Sequence, residues 1–93
     1  MKNARTARPR ARRVDIDRSK PVIEWVRSVS FEGSPCWELM VYIGKPYTAA
    51  TVWDNGVWHT WDRNGAGGEN DAEVTVKKAK VEAAASAVAQ GFI

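Results

Sequence analysis

The sequence predicts an α+β fold: an antiparallel β-meander of three to four strands, one C-terminal α-helix packed on one face, and a disordered basic arm in front. Three observations carry this prediction. Apolar and polar residues alternate between positions 23 and 61, in runs separated by Gly- and Pro-bearing turns. Asn55-Gly56 sits between two runs rich in Trp, Thr and Val, a strong hairpin signal. Thr75 suits a helix N-cap and Gly91 the position just past a helix end.

The arm comes first. Residues 1–20 hold eight basic and two acidic side chains, a net +6, whereas residues 21–93 hold six basic and nine acidic, a net −3. The overall charge of +3 therefore belongs to the arm. Its few apolar residues cannot offset the entropy of ordering it. The body, residues 21–93, reads as one domain. All five Trp of the chain fall there, which argues against disorder.

In the body, Ile23, Trp25, Val29 and Phe31 alternate with Glu24, Ser28 and Ser30 to suggest a first strand, interrupted at Arg27. Val22 and Val26 blur the pattern and leave a short helix open as the alternative. Glu32 to Pro35 forms a turn. Trp37, Leu39, Val41 and Ile43 mark a second strand with one apolar face, and Gly44-Lys45-Pro46 turns the chain again. Tyr47 to Asp54 and Val57 to Asp62 are the hairpin strands. With Asn55-Gly56 as a two-residue type I′ loop, Trp53 faces Trp58, Val52 faces His59, Thr51 faces Thr60 and Ala50 faces Trp61. One face then carries Ala50, Val52, Val57, His59 and Trp61 and reads as core. The other carries Thr51, Trp53, Trp58 and Thr60 and reads as open.

Residues 62–73 are polar and Gly-rich, with nothing to anchor a core, so a mobile loop is expected. In the helix, Val81, Ala84, Ala85, Val88 and Phe92 fall at helical spacing and form the expected apolar stripe. Lys78, Glu82, Ser86 and Gln90 form the expected solvated face.

A single helix covers one side of a sheet, so function is sought on the other side and in the arm. Trp53 and Trp58, joined by Tyr42, with Met40 or Cys36 nearby, would offer a stacking platform for unpaired bases. The same patch would equally serve a protein partner or a homodimer seam. Arg5, Arg8, Arg10, Arg12 and Arg13 suit phosphate contact through charge neutralisation.

Other chemistry finds little support. One Cys and one His exclude a Cys/His zinc site within one chain. The lone Cys also excludes an internal disulfide framework and fits a reducing cytoplasm. No apolar run reaches the ~18–20 residues of a membrane span, and the basic N-terminus lacks the apolar region of a secretory signal. Cys36 and His59 would make a nucleophile and base only if the fold joined them, and no third orienting group is identifiable. Asp62, Asn64, Gly67, Asn70 and Glu73 match positions 1, 3, 6, 9 and 12 of a calcium loop, but Ala66 at position 5 offers no side-chain oxygen. No catalytic residue, cofactor or metal is therefore assigned.

Two resemblances add to this. The run from Ala79 to Val88, Ala-Lys-Val-Glu-Ala-Ala-Ala-Ser-Ala-Val, resembles the last helix of double-stranded-RNA-binding domains. That likeness implies phosphate contact by Lys77 and Lys80, with Val76 standing where the family has a further lysine. The run Trp53 to Gly65, its Gly-rich sequel and the Ala-Lys-rich terminal helix resemble small proteins encoded by tailed phages and prophages. That likeness implies an accessory protein that contacts nucleic acid or a host protein complex, as anti-CRISPR inhibitors do. The expectation is a non-catalytic module binding nucleic acid through its arm and aromatic face. The alternative is an adaptor or inhibitor that targets a host protein complex through that face.

Overall fold

The computed structural model describes residues 22–93. The arm residues Arg5, Arg8, Arg10, Arg12 and Arg13 lie outside the described residues. The described chain forms five antiparallel strands in one open sheet: β1 Ile23–Val29, β2 Pro35–Val41, β3 Tyr47–Trp53, β4 Val57–Trp61 and β5 Gly67–Ala72. They neighbour one another in chain order, as a meander must. One helix, α1 Val76–Ala89, packs over β3 and β4 and touches β5. The α+β meander with a single backing helix is thus present, with one strand more than the sequence pattern indicates.

The hairpin at Asn55-Gly56 departs from expectation by one residue. Val52 pairs with Trp58, Thr51 with His59 and Ala50 with Thr60. The loop therefore has three residues, Asp54, Asn55 and Gly56. The Gly56 N–H donates to the Trp53 carbonyl at 2.9 Å, and Gly56 takes φ of 88°. This is a type I turn followed by a left-handed residue, the usual three-residue hairpin. Asn55 favours it, because its side chain accepts from the Val57 N–H at 3.1 Å. The loops closed by Gly33 and Gly65 repeat the same pattern, with donation to Ser30 and Asp62.

One step in register moves every side chain of a strand to the other face. The face beneath α1 carries Ala50, Val52, Trp58 and Thr60, not His59 and Trp61. Leu39 and Val41 complete it from β2, and Ile23, Trp25 and Trp37 pack at its margin. A bulge in β3 leaves Ala49 without a register partner, and both Ala49 and Ala50 are fully buried.

The helix buries small residues: Ala79, Ala83, Ser86 and Ala87. Val81 and Val88, expected on the packed stripe, are 61% and 58% exposed, and Ala85 is exposed too. The reason is that the sheet supplies the bulk and the helix supplies close approach, so alanines rather than valines face inward. Thr75 caps the start, accepting from the Lys78 N–H at 3.1 Å. At the end, the Gly91 N–H donates to the Val88 carbonyl and the Phe92 N–H to the Ala87 carbonyl, a Schellman closure. The Tyr47 hydroxyl donates to the Phe92 carbonyl and ties the C-terminus to the sheet.

The segment read as a mobile loop is instead the outermost strand, β5. Its backbone pairs with β4 from Val57–Ala72 to Trp61–Gly67. A polar cluster then joins it to the helix. Gln90 Nε2 donates to Thr60 Oγ1 at 2.9 Å, Thr60 Oγ1 donates to the Glu69 carbonyl at 3.0 Å, and Ser86 Oγ donates to the Glu69 carboxylate. Ser86 and Gln90, assigned to the solvated face, therefore point inward. Gly68 makes this crossing fit: a Cβ there would stand 2.6 Å from Thr60 Oγ1, Gln90 Oε1 and Phe92 Cε2.

Candidate binding face

The sheet face opposite α1 carries Glu38 from β2, Thr48, Thr51 and Trp53 from β3, and His59 and Trp61 from β4. Between Trp53 and Trp61 lies a concavity of about 540 Å³, with the Ser30–Glu32 turn and the Asp62–Gly65 turn on its rim. Phe31 stands on that rim fully exposed. Pockets for small ligands and side chains span ~300–1,000 Å³, so the space is of functional size.

Local structure fixes its walls. Trp61 Nε1 donates to Thr51 Oγ1 at 3.0 Å, and the His59 ring stacks on Trp61 with centroids 4.1 Å apart and planes 19° from parallel. The Trp61 indole is thereby locked in orientation. The Arg63 guanidinium lies 5.1 Å over the Tyr47 ring. Asp62 Oδ1 accepts from the N–H groups of Asn64 and Ala66, both at 2.8 Å, which holds the rim turn in shape. Glu38 is half-buried in the lining, with the Thr48 hydroxyl 3.4 Å from its Oε1. Among the described residues, the lining thus sets carboxylates of Glu32, Glu38 and Asp62 against the guanidinium of Arg63.

The residues singled out from sequence do not assemble as expected. Trp53 is on this face and lines the concavity. Trp58 is not: it lies 6% exposed beneath α1, because Val52 and not Trp53 is its partner. Its indole N–H is buried without a hydrogen-bond acceptor among the described residues. Tyr42 is 40% exposed and donates to Glu24 at 2.6 Å, a bond that raises the phenol pKa. It stands outside the concavity.

Of the two lysines, Lys77 is exposed. The Lys80 amine lies 3.5 Å from the centre of the Trp37 ring and 5.6 Å from that of Trp25. Burial lowers its pKa, and the Arg27 charge adds to this. Arg27 lies over Trp37 as well, at 5.3 Å, and forms a two-pronged bond with Asp54 at 2.7 and 2.8 Å. The Lys80 amine therefore covers two indoles.

Cys36 and His59 are kept apart by β3, since Cys36 pairs with Trp53 and His59 with Thr51. Cys36 is fully buried, and burial raises its thiol pKa away from the reactive thiolate. The five residues at calcium-loop spacing are strung along the β4–β5 hairpin and beyond it, so they form no single loop.

Trp61, Phe31 and Glu38 escaped sequence reasoning. The signal that would have found Trp61 is loop length: three residues rather than two between β3 and β4 put it on the open face. Comparison with protein families, curated proteins and solved structures finds no match.

Proposed function

We propose that the chain is a non-catalytic binding module that docks a segment of a partner protein on its open sheet face. The observation that carries this reading is the concavity between Trp53 and Trp61, lined by aromatic residues and covered by no described residue, while the opposite face holds the helix. Indoles held by neighbours lose little entropy on binding and give large contact area, which is why they dominate protein interfaces. The carboxylates in the lining disfavour a phosphate backbone at the same place. The likeness to phage accessory proteins suits an adaptor or inhibitor acting on a host protein complex.

The test is capture of partners from lysate by the full chain, after nuclease treatment, compared with Trp53→Ala. One partner retained by the parent protein and lost with Trp53→Ala supports the reading. Capture that depends on nucleic acid, or that survives Trp53→Ala unchanged, rejects it.

A second reading rests on the net +6 of residues 1–20: that segment binds nucleic acid on its own account. If about five phosphates are neutralised, log K falls with log salt at a slope of about −4 to −5 on duplex. A salt-independent affinity, or none, rejects it.

A further inference from the structure

The concavity has a chemical preference that narrows what can dock there. Its lining includes the rings of Phe31, Tyr47, Trp53 and Trp61, and aromatic rings attract cations to within ~6 Å of their centres. Its lining holds Glu38, a half-buried carboxylate that among the described residues accepts one side-chain hydrogen bond, from the Thr48 hydroxyl at a weak 3.4 Å. A carboxylate offers about four acceptor sites, so Glu38 has capacity beyond the Thr48 hydroxyl to accept from an incoming donor. Glu32 and Asp62 add negative charge at the rim, against Arg63 among the described residues.

Each kind of incoming side chain can be weighed against that lining. An acidic one meets like charge. An apolar one fills the aromatic walls but strips water from Glu38 without replacing it. An arginine or lysine satisfies both: its methylenes lie along the indoles and its charged head meets the carboxylate. The chain already uses this contact at the same rim, where Arg63 lies over Tyr47, and on the other face, where Lys80 lies over Trp37.

We infer that the Trp53–Trp61 concavity takes an arginine or lysine side chain presented by a basic segment of a partner protein, with Glu38 as its counter-charge. This rests on the docking reading above and adds the chemistry of the occupant. The head group donates to Glu38 while Trp53 and Trp61 flank the stem.

The test uses the full chain, isotopically labelled, titrated with an acetylated hexapeptide bearing two arginines and with its isosteric citrulline counterpart. Indole N–H signals report on each Trp separately. The arginine peptide is expected to bind at least about tenfold more tightly than the citrulline peptide, shifting Trp53 and Trp61 but not Trp58. Residues 1–20 are present in both titrations, so the ratio between the two peptides stands. Glu38→Gln, a near-isosteric change, is expected to remove most of that ratio while leaving citrulline binding intact. Should that variant not fold, the two peptides on the parent protein suffice. Equal binding of both peptides at Trp53 and Trp61 would overturn the charge preference and leave the docking face standing. No shift of either indole by either peptide would count against the face itself.

Discussion

Trp58 lies opposite Val52 and not opposite Trp53, so the two indoles stand on opposite faces of the sheet. Trp58 is core and Trp53 is surface. Trp58→Ala is accordingly expected to cost about 3–5 kcal/mol, as large aromatic deletions in cores do. Trp53→Ala removes a half-buried ring and is expected to cost no more than about 1–2 kcal/mol. Urea denaturation of the two variants separates these outcomes. Trp58→Phe is expected to be milder than Trp58→Ala, because it keeps most of the ring and removes an indole N–H that has no acceptor among the described residues.

Two glycines with nearly the same backbone angle test close approach apart from strain. Gly56 and Gly65 take φ of 88° and 87°. A Cβ on Gly65 meets nothing within 4 Å, whereas one on Gly56 would stand 2.1 Å from the Glu73 carbonyl oxygen. Gly65→Ala is expected to cost about 1–2 kcal/mol, the left-handed penalty alone. Gly56→Ala is expected to exceed it by more than about 1 kcal/mol, since backbone must move. Thermal unfolding of both variants gives the comparison.

The Arg27–Asp54 bond links the first strand to the β3–β4 turn across 27 positions of sequence. The hydrogen bond from Arg27 holds the Asp54 carboxyl pKa below its usual value. A depressed carboxylate contributes stability above its unfolded pKa of about 3.9 and loses it as pH falls through the lower folded value. Both partners are about half exposed, so the contribution is small. The melting temperature of Asp54→Asn is expected to sit slightly below the parent at neutral pH, with the gap closing in acid. A gap that stays constant into strong acid would show that the pair's charge is irrelevant.

Gln90 bonds to both Thr60 and the Glu69 N–H, joining β4, β5 and α1. Gln90→Ala is expected to cost about 1–3 kcal/mol by leaving buried polar groups unmatched. The loss should be local. Hydrogen exchange is expected to quicken first at β5 amides, with β2 and β3 little changed.

These relationships explain which parts of the fold were legible in the sequence. Alternation in Trp37–Ile43 and in the hairpin runs marks strands because each buries one face. Thr75 and Gly91 mark the helix ends because caps need those residues. The register was not legible at Asn55-Gly56, since an Asn-Gly pair serves both two- and three-residue loops and Asp54 decides between them only through the neighbouring pairs. Gly67–Ala72 has no strand propensity, and it pairs because Thr60, Ser86 and Gln90 draw it against the helix. In α1, hydrophobicity favours Val81 and Val88 whereas space favours Ala79, Ala83 and Ala87, and space wins. Of the site, Trp53 was legible from composition. Trp61 and Glu38 depended on a register that only the assembled sheet supplies.

An open sheet ends in two rows of unpaired backbone groups, and such rows recruit copies of themselves. On β5 that row carries Asp71, with Glu73 just beyond, and its strand is short and rich in glycine. Two copies meeting there would press carboxylate on carboxylate. The polar ribbon is therefore a bumper: it completes the sheet on one side with charges that disfavour edge-to-edge growth.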